Sequence, residues 1–148
     1  MKALLSILLL VSFCLPHAAL AGPFDARAVF DAAPGRDIDG ALKRAARDKK
    51  RVLLFSYDEK EGGNWPGLSL RHFMDLPETK KLVKENFILV LLVKGHKALD
   101  VYHPPVVTGS PFYVLINPDG TIVKAADTYG NPGSGLKAVK ELIALPPL

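Results

Sequence analysis

Two runs of apolar residues without a polar interruption place the strongest constraint on how this chain folds. Val52–Phe55 and Phe87–Val93 contain no charged or hydrogen-bonding side chain. Such runs are typical of strands that are covered on both faces of a sheet. The segment between them, 68–85, has helical patterning, with Pro77 either kinking one helix or starting its second half. A strand, a helix and a second strand predict a right-handed parallel unit.

The flanking sequence extends this unit on both sides. A helix is predicted from Asp37, where Asp37 or Asp39 caps the first turn, and residues 28–30 are consistent with a short edge strand. After the parallel unit, the segment 117–120 (Asn-Pro-Asp-Gly) predicts a type I turn between strands at 112–116 and 121–125. A helix over 136–144 ends the pattern. We therefore expect an α/β fold with a mixed, four- to five-stranded sheet and helices on both faces.

The first 21 residues have the features of a secretory signal peptide. Lys2 gives a basic start, the run Ala3–Leu15 is almost entirely apolar, and Ala19-Leu20-Ala21 offers small residues for cleavage before Gly22. The alternative, an uncleaved anchor, is disfavoured because the apolar run is short for a bilayer span. We expect an exported protein, periplasmic or secreted, with no stable membrane anchor after cleavage. The predicted organisation is a signal peptide (1–21), an N-terminal extension (22–36) and one domain (37–148).

Composition excludes several classes of function. The net charge of +4 is modest, and no basic stripe with interleaved aromatic residues predicts nucleic-acid binding. The single cysteine, Cys14, lies inside the predicted signal peptide, so the remaining chain has no thiol. An internal disulfide, a four-cysteine zinc site and an iron–sulfur cluster are therefore excluded. No cofactor is predicted.

The order of elements, with a proline before the third strand, resembles the thioredoxin fold. The resemblance is closest to exported thioredoxin-like proteins that have a Trp-Cys-x-x-Cys turn after the first strand and a Pro-Glu step before the second. Pro77-Glu78 is similar to that step, and Ser110-Pro111 is similar to the loop that holds a cis proline. The likeness covers about 38–144, and its individual motifs are specific only in combination.

The chain departs from this family at the redox turn. Counting back from Pro77 with the family's spacing places the turn at Gly63-Asn64-Trp65-Pro66. A second register, in which Trp65 precedes the first cysteine, places Pro66 and Ser69 at the two positions. Neither register supplies a thiolate, which thiol–disulfide exchange requires. Ser69 with His72 one helical turn away is more simply a surface coincidence than a catalytic pair. We expect a redox-inactive protein that is not an enzyme.

A partner-binding role is the leading functional hypothesis. The resemblance implies a cis Ser110–Pro111 bond beside the turn, where the Ser110 backbone pairs with an extended segment of a protein or peptide. Trp65 either anchors such a partner from the loop tip or folds back as core. The plainer interpretation is that Pro111 only starts a strand. A third hypothesis is a fold kept for structural reasons in an assembly.

An alternative from another class uses His96, Asp100 and His103. Their spacing would align three metal ligands on a continuous helix, and such ligands suit zinc or copper in an enzyme or metal carrier. Gly95 and the pair Pro104-Pro105 disfavour a helix of that length. The sequence therefore predicts a solvated connector here rather than a metal site.

Overall fold

The computed structural model describes residues 23–61, 66–107, 109, 111–128 and 130–146. Within these ranges the elements follow in the order α1 (Ala26–Phe30), α2 (Ile38–Asp48), β1 (Arg51–Tyr57), α3 (Leu68–Phe73), α4 (Pro77–Asn86), β2 (Phe87–Val93), α5 (Leu99–Tyr102), β3 (Phe112–Ile116), β4 (Ile122–Asp127) and α6 (Ser134–Ile143). None of the helices in the described ranges is long and apolar enough to cross a membrane.

A mixed sheet in the order β2-β1-β3-β4 forms the centre of the fold. β1 and β2 are parallel, with Val52 opposite Ile88, whereas β3 is antiparallel to both β1 and β4. The predicted parallel unit and the predicted hairpin are therefore both confirmed. In the hairpin turn, the Gly120 amide donates to the Asn117 carbonyl at 2.9 Å, and Gly120 takes the positive φ of 88° that glycine tolerates.

Helices cover both faces of this sheet, as the sequence predicts. One face packs against α1, α3, α4 and α6 and buries a cluster rich in aromatic residues, which includes Phe30, Phe55, Phe73 and Tyr113. The other face packs against α2 and α5 and buries mainly aliphatic residues, such as Leu54, Val90 and Val114. Alternate residues of each strand enter opposite clusters, as pleating requires.

Two helix boundaries follow directly from local chemistry. The Asp37 carboxylate caps α2 by accepting from the Asp39 amide at 3.1 Å, one of the two caps that the sequence allows. Pro77 is the first residue of α4, so it starts a separate helix rather than kinking one long helix.

The segment before α2 differs from the prediction. Residues 28–30 are not an edge strand; they belong to α1, because the Asp25 carboxylate caps this helix by accepting from the amides of Arg27 and Ala28. The edge of β2 is paired instead by Gly35, whose amide donates to Leu89 and whose carbonyl accepts from Leu91. Val29 and Phe30 are buried in the aromatic cluster, so this part of the predicted extension contributes to the core.

Candidate functional site

The candidate site predicted from the sequence lies at one end of the strands. Three parts of the chain come together there: the end of β1, the start of α3 and the start of β3. Gly63, Asn64 and Trp65 lie outside the described residues, and so does Ser110, together with its bond to Pro111. Pro66 and Gly67 immediately precede α3. The predicted turn is thus described only at its Pro66 end, and its proximity to Ser110 stays a prediction.

The N-terminal segment packs against this end of the turn. The Phe24 ring stacks on Tyr57 with centroids 4.3 Å apart, and the Arg71 guanidinium lies 5.7 Å from the centre of the same ring. Arg71 also donates from Nε to the Pro66 carbonyl and from Nη2 to the Pro23 carbonyl, each at 3.2 Å. Arg71 therefore ties the N-terminal segment to the residue at which the turn ends.

Gly67 is required for this packing. Its φ of +64° is in the left-handed region, and a Cβ at this position would lie 2.7 Å from two atoms of the Phe24 ring. Burial of Tyr57 under this segment raises the pKa of its hydroxyl, an effect to which the nearby Glu59 adds. No sequence motif marks Phe24 or Gly67, because their contact joins segments that are distant in the chain.

Ser69, the alternative position for a nucleophile, is bonded to a carboxylate. Its Oγ donates to Glu61 Oε1 at 2.6 Å across the loop that joins β1 to α3. Among the described residues no hydrogen bond joins Ser69 to His72, so the structure gives no support to that pair as a catalytic unit. The contact joins this loop to the first turn of α3.

Pro111 is held by a residue that the sequence analysis did not identify. The amide and the hydroxyl of Thr128 both donate to the Pro111 carbonyl, each at 3.0 Å, and Pro111 and Thr128 are buried. Because one residue satisfies this carbonyl twice, the backbone entering β3 is fixed relative to the end of β4. No motif in the sequence marks Thr128 for this role.

The alternative arrangement, with His96, Asp100 and His103 aligned along one helix, does not form. α5 has only four residues and includes Asp100 alone, with His96 in the turn before it and His103 at its C-cap. His96 Nδ1 accepts from the Ala98 amide at 3.2 Å, whereas the His103 ring stacks on Phe112 with centroids 4.9 Å apart. Among the described residues no group of three or more histidine, cysteine, aspartate or glutamate side chains is arranged to hold a metal ion.

These residues instead surround a cavity of about 410 Å³ at the same edge of the sheet. Its walls include Ser56, Lys94, His96, Asp100, His103 and Phe112. Lys94 forms an ion pair with Asp58 at 3.1 Å. A hydrogen bond from the Lys60 amide, followed by that from Lys94, lowers the pKa of the Asp58 carboxyl, so this carboxylate is ionised at neutral pH. Among these wall residues, the sequence singles out His96, Asp100 and His103, but as possible metal ligands and not as parts of a cavity.

Comparison with known proteins gives the fold and leaves the activity open. No family model and no curated protein matches the sequence. A solved structure described as "DsbH Oxidoreductase" aligns with a TM-score of 0.57 at 17% identity, over 84% of this chain and 94% of that one. The crystal structure of a disulphide isomerase from Xylella fastidiosa Temecula1 aligns with a TM-score of 0.50 at 18% identity, over 72% of this chain and 86% of that one. The chain thus has the thioredoxin-like fold that its sequence predicts.

Proposed function

We propose that the chain is an exported, redox-inactive thioredoxin-fold protein that binds a protein or peptide partner. Proteins named as a disulphide isomerase and an oxidoreductase share its fold, yet Cys14 is its single cysteine and lies in the predicted signal peptide. Thiol–disulfide exchange begins with attack by a thiolate. Residues 22–148 offer none, which supports a role in binding rather than in redox catalysis.

The observation that carries this proposal is the pair of hydrogen bonds from Thr128 to the Pro111 carbonyl. They hold the residue next to Ser110 in one position before any partner arrives. An extended segment that adds to a strand gains its affinity from main-chain hydrogen bonds, and a backbone that is already ordered loses less entropy on binding. In this proposal the Ser110 backbone forms those bonds.

Trp65 is the proposed anchor for the partner. A tryptophan that is buried on binding contributes large apolar area, and truncating such a residue typically costs about 2 kcal/mol or more, roughly thirtyfold in affinity. Neither the Trp65 anchor nor the Ser110 backbone needs a thiol. The same surface therefore serves binding without redox chemistry.

Export is proposed from the features of residues 1–21, which place the protein in the periplasm or outside the cell. The absence of disulfides does not conflict with an oxidising compartment, because a domain of this size builds its core without them. Its partner would then also be an exported protein or peptide.

Two measurements test this function. Purified protein should reduce insulin disulfides no faster than buffer containing the same reductant, and sustained turnover by a clean preparation would contradict the redox-inactive assignment. In affinity capture from the exported fraction, Trp65→Ala should lose the partner that wild type retains. Val123→Ala, which truncates an exposed apolar side chain on β4 away from the proposed surface, should retain it. Equal retention by wild type and Trp65→Ala would overturn the proposed binding surface.

A further inference from the structure

Beneath the wall of the cavity beside α5 lies a buried hydroxyl group that has no hydrogen-bond partner among the described residues. Ser56 is 0% exposed, and its Oγ makes no hydrogen bond to any group in the described part of the chain. Its strand neighbours are Leu92 on β2 and Phe112 on β3, both of which are buried and apolar. A buried polar group that is left unpaired is costly, and a site that supplies a partner is one explanation for it.

The charge of the cavity favours a cation. Lys94 is the one lysine in its wall, and Asp58 neutralises it at 3.1 Å. The Asp100 carboxylate is exposed and forms neither an ion pair nor a hydrogen bond with the described residues. One uncompensated negative charge therefore remains at the cavity wall, without the cluster of ligands that a metal ion requires.

The remaining groups fit an alkylammonium better than a guanidinium. An ammonium has three donors and no acceptor, whereas a guanidinium is a planar fork that favours bidentate pairing with one carboxylate. The wall offers acceptors of three separate kinds: the Asp100 carboxylate, the His103 imidazole and the Ser56 hydroxyl. Buried Leu99 and Phe112 supply apolar surface for a methylene chain.

The cavity is also placed next to the proposed partner-binding backbone. Gly109 is part of its wall, and Phe112 follows Pro111 directly. Side chains of an extended segment point alternately to opposite sides. A segment paired with Ser110 would therefore present every second side chain toward one side of the pairing backbone.

We propose that this cavity receives a lysine side chain from the partner, an inference that rests on the proposed function and names the side chain it recognises. The methylene stem packs on Leu99 and Phe112, and the ammonium donates to Asp100 and, at the inner end, to Ser56. Because Ser56 has no exposed surface in the ligand-free structure, the side chains around it shift on entry.

The cavity can be tested without any partner. The probe is n-butylammonium chloride, titrated into purified protein at constant ionic strength and followed by backbone amide NMR, with n-butanol as its uncharged counterpart. We expect saturable shifts at Gly95, Leu99 and Gly109 with the ammonium and weaker ones with the alcohol. Equal shifts with both probes, or none with either, would overturn the inference.

Variants identify the groups that bind the probe. Asp100→Asn should weaken n-butylammonium binding about fivefold, near the upper end for one exposed ion pair. Glu85→Gln removes an exposed carboxylate from the last turn of α4, next to the end of β2 that is opposite to the cavity, and should leave binding unchanged. Ser56→Ala should weaken binding about threefold without lowering the melting temperature of the free protein. Unchanged binding by Asp100→Asn would overturn the inference. Since the probe needs neither Trp65 nor a partner, this result is independent of the capture experiment that tests the proposed function.

Discussion

Phe55 and Ser56 are neighbours on β1, yet their side chains face opposite sides of the sheet and meet opposite conditions. Phe55 is fully buried against three aromatic rings, with centroid distances of 5.2 Å to Phe30, 5.6 Å to Phe73 and 6.3 Å to Tyr113. Ser56 is equally buried, but its hydroxyl has no hydrogen-bond partner among the described residues and lies in the wall of a cavity. At this point of the strand one side is filled by aromatic rings, whereas the other side borders a cavity.

The difference teaches that burial alone does not separate a structural residue from a binding residue. Packing on the Phe55 side leaves little to gain from a ligand, because apolar contacts there are already made. On the Ser56 side, the hydroxyl and the nearby Asp100 carboxylate have no described partners, so a ligand has bonds to add. The stability of the fold should therefore depend on the first side and recognition on the second.

The largest expected effect is at Phe55. Phe55→Ala removes the ring on which three others pack, and such truncations cost about 3–5 kcal/mol in the free energy of unfolding. Urea denaturation followed by circular dichroism measures this loss. Phe55→Leu keeps most of the apolar volume and should cost clearly less. A loss below about 1 kcal/mol for Phe55→Ala would contradict the contrast between the two sides of β1. The aromatic side would then not be the main source of the free energy of unfolding.

A second test probes how closely helices pack on the Phe55 side. A Cβ at Gly135 of α6 would overlap the carbonyl oxygen of Phe73 at the end of α3. Since backbone must move to admit it, Gly135→Ala should lower the free energy of unfolding by about 2 kcal/mol, within the usual range for overpacking. Gly35→Ala is the control, because its methyl would lie 3.2 Å from the far end of the flexible Arg44 side chain and in ordinary contact, at 3.5 Å, with the Leu89 carbonyl oxygen. Equal stability of the two variants would contradict close packing of α3 and α6.

The sequence predicted the parts of this fold that local patterns determine. Periodicity and turn chemistry account for the apolar runs at 52–55 and 87–93 and for the hairpin turn at 117–120. They also predicted helix over 68–85 but left open whether Pro77 kinks one helix or starts a second one. The error at residues 28–30 was also local, because Asp25 is in the right place to cap a helix and this signal was missed.

The candidate site was predicted less completely, because its contacts join distant segments. The packing of Phe24 on Gly67 and the hydrogen bonds from Thr128 to Pro111 depend on tertiary structure, and no short motif records them. The order of Lys94, His96, Asp100 and His103 was visible, but the short α5 places them around a cavity instead of along one helical face. A helix of four residues cannot align the three ligands of the alternative metal site over two turns.

A moderate loss of stability is expected at Thr128, next to the proposed partner-binding surface. Thr128→Val removes the hydroxyl that donates to the Pro111 carbonyl and keeps the shape of the side chain and the amide hydrogen bond. The free energy of unfolding should fall by about 1 kcal/mol, the usual net value of one buried hydrogen bond. Thr128→Ser keeps the hydroxyl and should restore the capture of a partner if Thr128→Val weakens it. Full capture by Thr128→Val would show that this hydroxyl does not prepare the Ser110 backbone for binding.

The smallest change in stability, and the one opposite in sign, is expected at Ser56. Ser56→Ala removes a buried hydroxyl that has no described partner, and relief of its unpaired state should offset the slight loss of packing. The free energy of unfolding should therefore rise by less than about 1 kcal/mol, in contrast to the loss at the adjacent Phe55. Denaturation of the two variants under identical conditions gives the comparison directly. If Ser56→Ala instead destabilises the protein by 1 kcal/mol or more (about one net buried hydrogen bond), the hydroxyl already has a partner, such as a bound water. The ligand would then have to displace that partner, and the advantage claimed for the Ser56 side of the strand would be lost.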